Sequence, residues 1–353
     1  MRIAPKRLTL AAPPADPFGE RRDARYSERV QLLGAHFHFE TDSPHLRRMV
    51  RLAYARLPSH RFSGAVPRLR VRLVLTARER PARAPVAAGE PPAVRTLAAG
   101  GILCGALGGA TLTAIVPRQR TALVVVPQDL MRYPYHIRYE LLEFAVYVLA
   151  ARVQQLVPLH AACVGRKGEG ILLMGPSGAG KSTLVVQSLL GGLDFLAEDS
   201  VLVRPRGLLA TGVANFLHLR PDSLRFLDRA ERARLLRESW RIRRRSGVEK
   251  LEIDLRRPYY HLAPAPLRIR AVAFLSRREA GAGTLLTPLR TAVARRRLAA
   301  HQRYAAHQPG WVSFSQQLAK LPAYELRRGA HPRESVAALR ELLTGKSIRR
   351  SAR

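Results

Sequence analysis

Gly175-Pro-Ser-Gly-Ala-Gly-Lys-Ser-Thr183 lies between a short apolar run, Gly170-Ile-Leu-Leu-Met174, and a helical stretch, Ser182 to Leu190, that Gly191-Gly192 brings to a stop. The nine residues fit G-x-x-x-x-G-K-[ST], the pattern of a phosphate-cradling P-loop. The apolar run before them has the length and bounds of a buried strand, and the paired glycines are a helix C-terminal signal. Strand, glycine-rich turn and helix together aim backbone N–H groups and a helix N-terminus at one anion. Only six lysines stand among the 60 basic residues, so a lysine at this place is informative. In such a site Lys181 reaches the β- and γ-phosphates of ATP and the Ser182 hydroxyl ligates Mg²⁺. The cradle itself is Gly175, Pro176, Ser177, Gly178, Ala179 and Gly180, continuing through Thr183. The competing reading is a glycine-rich structural turn.

Glu198-Asp199 follows 17 residues after the lysine, inside Leu193-Asp-Phe-Leu-Ala-Glu-Asp-Ser-Val-Leu-Val203. A phosphotransferase needs an acidic group for the metal and a base for the acceptor. One short helix separates the pair from the loop, which places it at the C-terminal end of the next strand, near the phosphates. Two adjacent carboxylates can divide the labour. We expect Asp199 to hold Mg²⁺ through the Ser182 network and Glu198 to orient and deprotonate an acceptor hydroxyl. An acidic turn after a strand is the structural alternative.

Composition bounds the rest. Apolar residues make up 47% of 353, enough for a globular core in one large domain or two ordinary ones. No run of about 18 apolar residues suggests a membrane span, and the N-terminus lacks an adequate apolar signal region. Cys104 and Cys163 stand far apart without metal-ligand spacing, so a reduced, cytoplasmic protein is expected. The net charge of +34 invites a nucleic-acid reading. The arginines are spread along almost the whole chain, however, and no aromatic-interleaved basic motif occurs, so nucleic acid is not the expected partner. The densest cluster, Arg241 to Arg245, is either a solvated face or a contact for an acidic partner.

We divide the chain into an arm rich in Pro, Arg and small residues (1–28), a mixed α/β region (29–157) and the P-loop region (158–353). In the middle region Gln31 to Glu40 partly alternates as a strand does, and Ser43 can cap a helix running to Leu57. Leu69 to Leu75 alternates clearly, and Arg78 to Pro92 reads as a loop. Ala114 to Val116 and Thr121 to Val126 form a hairpin, and a longer apolar helix spans Tyr135 to Leu156. In the last region Leu159 to Val164, Gly170 to Met174 and Leu267 to Leu275 read as strands, and Arg333 to Leu343 as a helix.

Leu159-His160-Ala-Ala, the P-loop and Phe195-Leu-Ala-Glu198-Asp199, taken together, resemble the HPr kinase/phosphorylase superfamily of bacterial serine kinases. There a strand carrying a histidine leads into G-x-S-G-x-G-K-S, a short helix and an Ala-Asp-Asp segment. The specific part of the resemblance covers roughly Leu159 to Val203. It implies an α/β P-loop kinase domain of the HPr kinase and PEP carboxykinase type, preceded here by a smaller mixed α/β domain. It further implies ATP and Mg²⁺ as cofactors and a serine hydroxyl of a peptide or protein as acceptor. The family's catalytic carboxylate falls on Glu198 and its neighbour on Asp199; glutamate for the first aspartate leaves open which is the base. His160 matches the family histidine near the nucleotide, though a lone histidine at a strand start can equally be structural. Past Val203 the family's Leu-Glu-Ile-Arg-Gly-Leu-Gly becomes Lys250-Leu-Glu252-Ile-Asp254 without the glycines, leaving Glu252 as a candidate metal ligand. The tail, Leu321-Pro-Ala-Tyr-Glu-Leu and a last helix, looks like stand-alone relatives from peptide and polysaccharide gene clusters, which leaves HPr as acceptor, and the phosphorylase reaction, unimplied. ATP-dependent PEP carboxykinase shares the local pattern; it is considerably longer, with a second half for oxaloacetate not seen here, and stands as a minor alternative. Competing classes are an ATP-binding regulator without phosphotransfer and a nucleic-acid-associated ATPase, and homo-oligomerisation stays open.

Overall fold

The structure is a computed structural model that describes residues 24–77, 94–107, 111–280 and 284–344. The expected loop Arg78–Pro92 and most of the expected arm lie outside these residues. The first strand begins at Tyr26, inside the stretch assigned to that arm.

The alternating segments of the first half build β1 (Tyr26–Leu32), β2 (Ala35–Thr41), β3 (Arg68–Thr76), β4 (Arg95–Ala99), β5 (Ile102–Leu107), β6 (Thr111–Val116) and β7 (Thr121–Pro127). They form one seven-stranded sheet in the order β1-β2-β3-β7-β6-β5-β4. The single strand expected over 31–40 is thus a hairpin. Leu33 and Gly34 turn it with φ of 54° and 77°, a pair of positive values that two-residue hairpins favour. Ser43 caps the helix Pro44–Tyr54 by accepting from the Leu46 N–H at 3.3 Å, and the helix ends before Leu57. Its apolar face, Leu46, Met49, Val50 and Ala53, packs with Phe37, Phe39 and Val71. The expected helix over 135–156 opens as one α-helical turn, Pro134–His136, passes through a π-helical turn, Ile137–Leu142, and continues as Glu143–Gln154.

The second half contributes β8 (Val157–Leu159), β9 (Ala162–Arg166), β10 (Glu169–Met174), β11 (Asp194–Ala197), β12 (Val201–Arg204) and β13 (Leu209–Thr211). Then follow β14 (Phe216–Leu219), β15 (Trp240–Arg243), β16 (Glu249–Asp254), β17 (Leu267–Glu279), β18 (Leu286–Pro288) and β19 (Ala323–Arg328). A nine-stranded sheet runs β11-β9-β10-β17-β13-β12-β8, with β19 joining β17 to β18; β14-β16-β15 form a small sheet of their own. Helices Lys181–Leu190 and Pro332–Leu343 share one core cluster with Ile171, Leu173 and Ala273, while Phe314, Leu318 and Leu298 pack with Leu172, Val272 and Phe274. Because successive strand residues face opposite sides, the apolar run 171–174 of β10 needs a cover on both faces. The chain is therefore a mixed α/β fold.

Two strand expectations break, and both breaks matter. Leu159 to Val164 divides at His160-Ala161 into β8 and β9, and 193–203 divides at Glu198–Ser200 into β11 and β12. β11 pairs β9, whereas β12 pairs β8 and β13. The chain thus crosses between two parts of the sheet at both points. Among the described residues no helix is long and apolar enough to cross a membrane.

Candidate functional site

The glycine-rich loop follows β10 directly and ends as the helix Lys181–Leu190 begins. Gly175 is closely packed: a Cβ there would stand 3.2 Å from those of Ala179 and Leu275, so a side chain would press on both. Gly178 and Gly180 hold φ of 77° and 100°, values that favour glycine. Arg277 and Arg328 bind the outward carbonyls of Ser177 and Gly178 at 3.1 and 3.4 Å. Thr183 Oγ1 meets Ser223 Oγ at 2.8 Å, tying the helix to the segment Pro221–Phe226. Lys181 is buried and its ammonium donates to the carbonyls of Gly175 (2.8 Å) and Pro176 (3.4 Å). Burial lowers its pKa, against the pull of Asp199 and Glu198. A cation resting on the loop's own carbonyls can exchange them for the oxygens of an anion above the loop.

Ser182 Oγ donates to Glu198 Oε1, and the His218 backbone N–H donates to Glu198 Oε2 at 2.8 Å. Burial raises the Glu198 pKa, and the charge of Asp199 adds to the rise. Asp199 turns elsewhere and accepts from Arg244 at 3.0 Å. Burial pushes its carboxyl up, but the charge and hydrogen bond of Arg244, with Lys250 and His160, bring it below the ordinary value. Two neighbouring carboxyls are thereby driven apart, one toward the protonated and one toward the ionised form. The expected partnership of Ser182 with Asp199 is not what is found: the hydroxyl meets Glu198. The two carboxylates lie in the bend between β11 and β12 and take different partners, Ser182 for Glu198 and Arg244 for Asp199.

His160 sits in the break between β8 and β9. Its backbone N–H donates to Gln302 Oε1 at 2.8 Å, and Gln302 Nε2 returns to its carbonyl at 2.9 Å. Burial, then the charge of Lys181, keeps the imidazole pKa low, while a hydrogen bond to the Asp199 backbone opposes this. Glu252 stands opposite His218 on β14 and β16. It accepts from His218 Nε2 at 3.0 Å and pairs with Arg138. Burial raises its carboxyl, and His218 and Arg138 together more than reverse that. It therefore reaches Glu198 only by way of His218, and its bonds are those of a buried ion pair. Among the described residues no group of three or more His, Cys, Asp or Glu side chains could hold a metal ion. A Mg²⁺ shared with phosphate oxygens asks for less, one hydroxyl and one carboxylate, and Ser182 with Glu198 meets that requirement.

Several residues around the pair have no place in the sequence reading. The π-helical turn, in which Glu143 N–H reaches back to Arg138 O, presents Arg138, Tyr139 and Glu140; such turns recur at functional sites. The Arg244 guanidinium lies 5.5 Å from the Tyr139 ring centre, and Arg245 pairs with Glu140. The basic run 241–245 thus meets acidic partners within the chain, through its last two members, while Arg241 and Arg243 stay exposed. A signal for Arg138 did exist: an arginine in a largely apolar helical stretch must find a carboxylate when it is buried.

Two cavities, ≈ 530 and ≈ 570 Å³, flank the acidic pair. Thr96, Phe144, Tyr147, Val148, Asp199 and Ser200 line both; Glu198 and His218 line the first, His160 and His301 the second. Their walls come from both halves of the chain, and a hydroxyl entering either can meet Asp199.

No family model matches the chain, and no curated protein matches it. Among solved structures it is similar to the Hpr(Ser) kinase/phosphatase from Coxiella burnetii, at 12% identity over 54% of this chain and 88% of that chain, with a TM-score of 0.27. A likeness at that level carries no argument about either fold or function, and the functional reading rests on the residues themselves.

Proposed function

We propose that the chain transfers the γ-phosphoryl group of ATP to a hydroxyl, the acceptor being a serine of a peptide or protein. The observation that carries this reading is the contact of Ser182 with Glu198 beside Lys181, with Asp199 open to two cavities. In this reading the backbone N–H groups of residues 175–183 cradle the phosphates, and Lys181 leaves its carbonyls for the β- and γ-oxygens. Ser182 and Glu198 would hold Mg²⁺, which when bound neutralises charge on the phosphates. Asp199, ionised beside Arg244, orients the acceptor hydroxyl. The acceptor oxygen bonds to the γ-phosphorus, the bond from phosphorus to the β–γ bridging oxygen breaks, and ADP leaves. The hydroxyl proton passes to the Asp199 carboxylate and then to water. Neutral His160, bonded to the Asp199 backbone, fixes that carboxylate in place. These roles invert the expectation from sequence, which set Glu198 as base and Asp199 on the metal; Glu252 becomes structural.

The test is a pair of amide variants assayed for Mg-ATP affinity and for transfer of labelled phosphate to serine. Asp199→Asn should bind Mg-ATP within about threefold of wild type while transfer falls roughly 10²–10⁴-fold, the span of general-base catalysis. Glu198→Gln should weaken binding only when Mg²⁺ is present. The opposite pattern restores the roles expected from sequence. Unchanged transfer in both variants would leave an ATP-binding regulator as the better reading.

A further inference from the structure

A third cavity, ≈ 580 Å³, lies among the helix Pro44–Tyr54, the segment 131–138 and β15 with the residues just after it. Seven arginines line it against one carboxylate, Glu252, which Arg138 and His218 already occupy. Arg244 and Arg245 have their own carboxylates in Asp199 and Glu140. Arg48, Arg132, Arg241 and Arg243 are exposed and have no carboxylate partner among the described residues.

Arg138 Nη1, Arg244 Nε and Tyr135 Oη are buried without a hydrogen-bond partner, and all three residues line this cavity. Arg138 is only 3% exposed. A buried donor without a partner is costly, and a guanidinium N–H more so than a neutral one. Three of them around one basic hollow ask for an acceptor that the chain does not supply. Apolar and aromatic side chains, Met49, Leu52, Met131, Tyr133 and the half-exposed Trp240, make up much of the remaining wall, with His45 and His136 beside them.

We infer that this cavity binds an organic anion, a phosphate or carboxylate group on a flat or apolar body. The anionic group takes the orphan donors and the unpaired arginines, where charge-assisted and bidentate hydrogen bonds are strongest. The body lies against the methionines, Tyr133 and Trp240. Binding there needs neither nucleotide nor metal, and it shares with the kinase reading only Arg244, whose Nη2 faces Asp199.

Isothermal titration of the full chain with phenyl phosphate tests it. Lys181→Ala is titrated in parallel, because the glycine-rich loop is a competing phosphate site. Saturable binding should survive Lys181→Ala and weaken at least about tenfold in the Arg48→Ala/Arg241→Ala/Arg243→Ala variant. All three positions are exposed, so the fold should persist; Arg243→Ala alone repeats the loss in smaller measure should the triple variant melt early. Inorganic phosphate should bind more weakly than phenyl phosphate, and benzoate tells whether a carboxylate serves as well. No saturable binding, binding unchanged in the triple variant, or binding abolished by Lys181→Ala alone would overturn the assignment.

Discussion

Glu252→Gln should destabilise the protein rather than empty a metal site. The side chains of Arg138 and Glu252 are 4% and 6% exposed, and the guanidinium lies 4.1 Å from the Phe216 ring centre. Removing one partner of a buried pair leaves an uncompensated charge, at about 3–5 kcal/mol. His218 also exchanges a charged acceptor for a neutral one, worth about 1 kcal/mol. Glutamine keeps an acceptor oxygen, so the lower part of the range applies, about 3 kcal/mol. With a urea slope of roughly 3 kcal/mol/M, expected to grow with chain size, the midpoint falls by about 1 M. Trp240, 6.0 Å from Phe216, reports the region by fluorescence. Arg138→Met should cost a similar amount, and Arg138→Met with Glu252→Leu should recover most of it, as apolar replacements of buried pairs often do. The sign with pH follows from the lowered Glu252 pKa. The pair contributes stability above the unfolded carboxyl's pKa and loses it as pH falls through the folded one, so the gap between wild type and Glu252→Gln closes in acid. A variant within about 0.5 kcal/mol of wild type whose nucleotide binding no longer responds to Mg²⁺ would refute this and make Glu252 the metal ligand.

Glu198 has a raised pKa, and a metal needs its ionised form. Mg-ATP affinity should therefore increase as pH rises through the raised Glu198 pKa and then level off, while Mg²⁺-free ATP binding does not follow that rise; titrations from acid to alkaline pH in wild type and Glu198→Gln decide it, an identical pH profile in the two counting against the metal role. Gly178→Ala places a Cβ at φ 77° and 3.4 Å from Arg277, so about 1 kcal/mol of stability should be lost and ATP bound more weakly; thermal unfolding and ATP titration measure both, and an unaffected ATP affinity would remove the loop from the phosphate site.

Local features were legible in the sequence because they are written locally. Ser43, the alternation of 69–75, the hairpin of β6 and β7, and the strand–loop–helix around Gly175 each depend on residues within one turn or strand. The neighbourhood of Glu198 and Asp199 was visible, but their directions were not, because these follow from where β11 ends and β12 restarts. That break depends on β9 and β8, where Cys163 pairs with Ala197 and Leu159 with Val201, far back along the chain. The surroundings of Glu252 were hidden for a related reason. Its partner Arg138 lies 114 residues away, and no spacing rule connects a π-helical turn to a strand of a separate sheet. The basic run 241–245 gave half its answer: alternation along β15 left Arg241 and Arg243 exposed, whereas Arg244 and Arg245 stand where the strand ends and turn to carboxylates.

Equilibrium titration of ATP into wild type and Lys181→Ala, each with and without Mg²⁺, tests the central claim most directly. Lys181 is the cation at the head of the helix, and its ammonium rests on carbonyls of the loop it is proposed to leave. Wild type should bind ATP saturably and more tightly with Mg²⁺, and Lys181→Ala should lose at least about tenfold in affinity, a charge-assisted contact being worth about 1.5–3 kcal/mol. Equal affinity in the two proteins, or no saturable binding to wild type, would contradict a nucleotide site at residues 175–183.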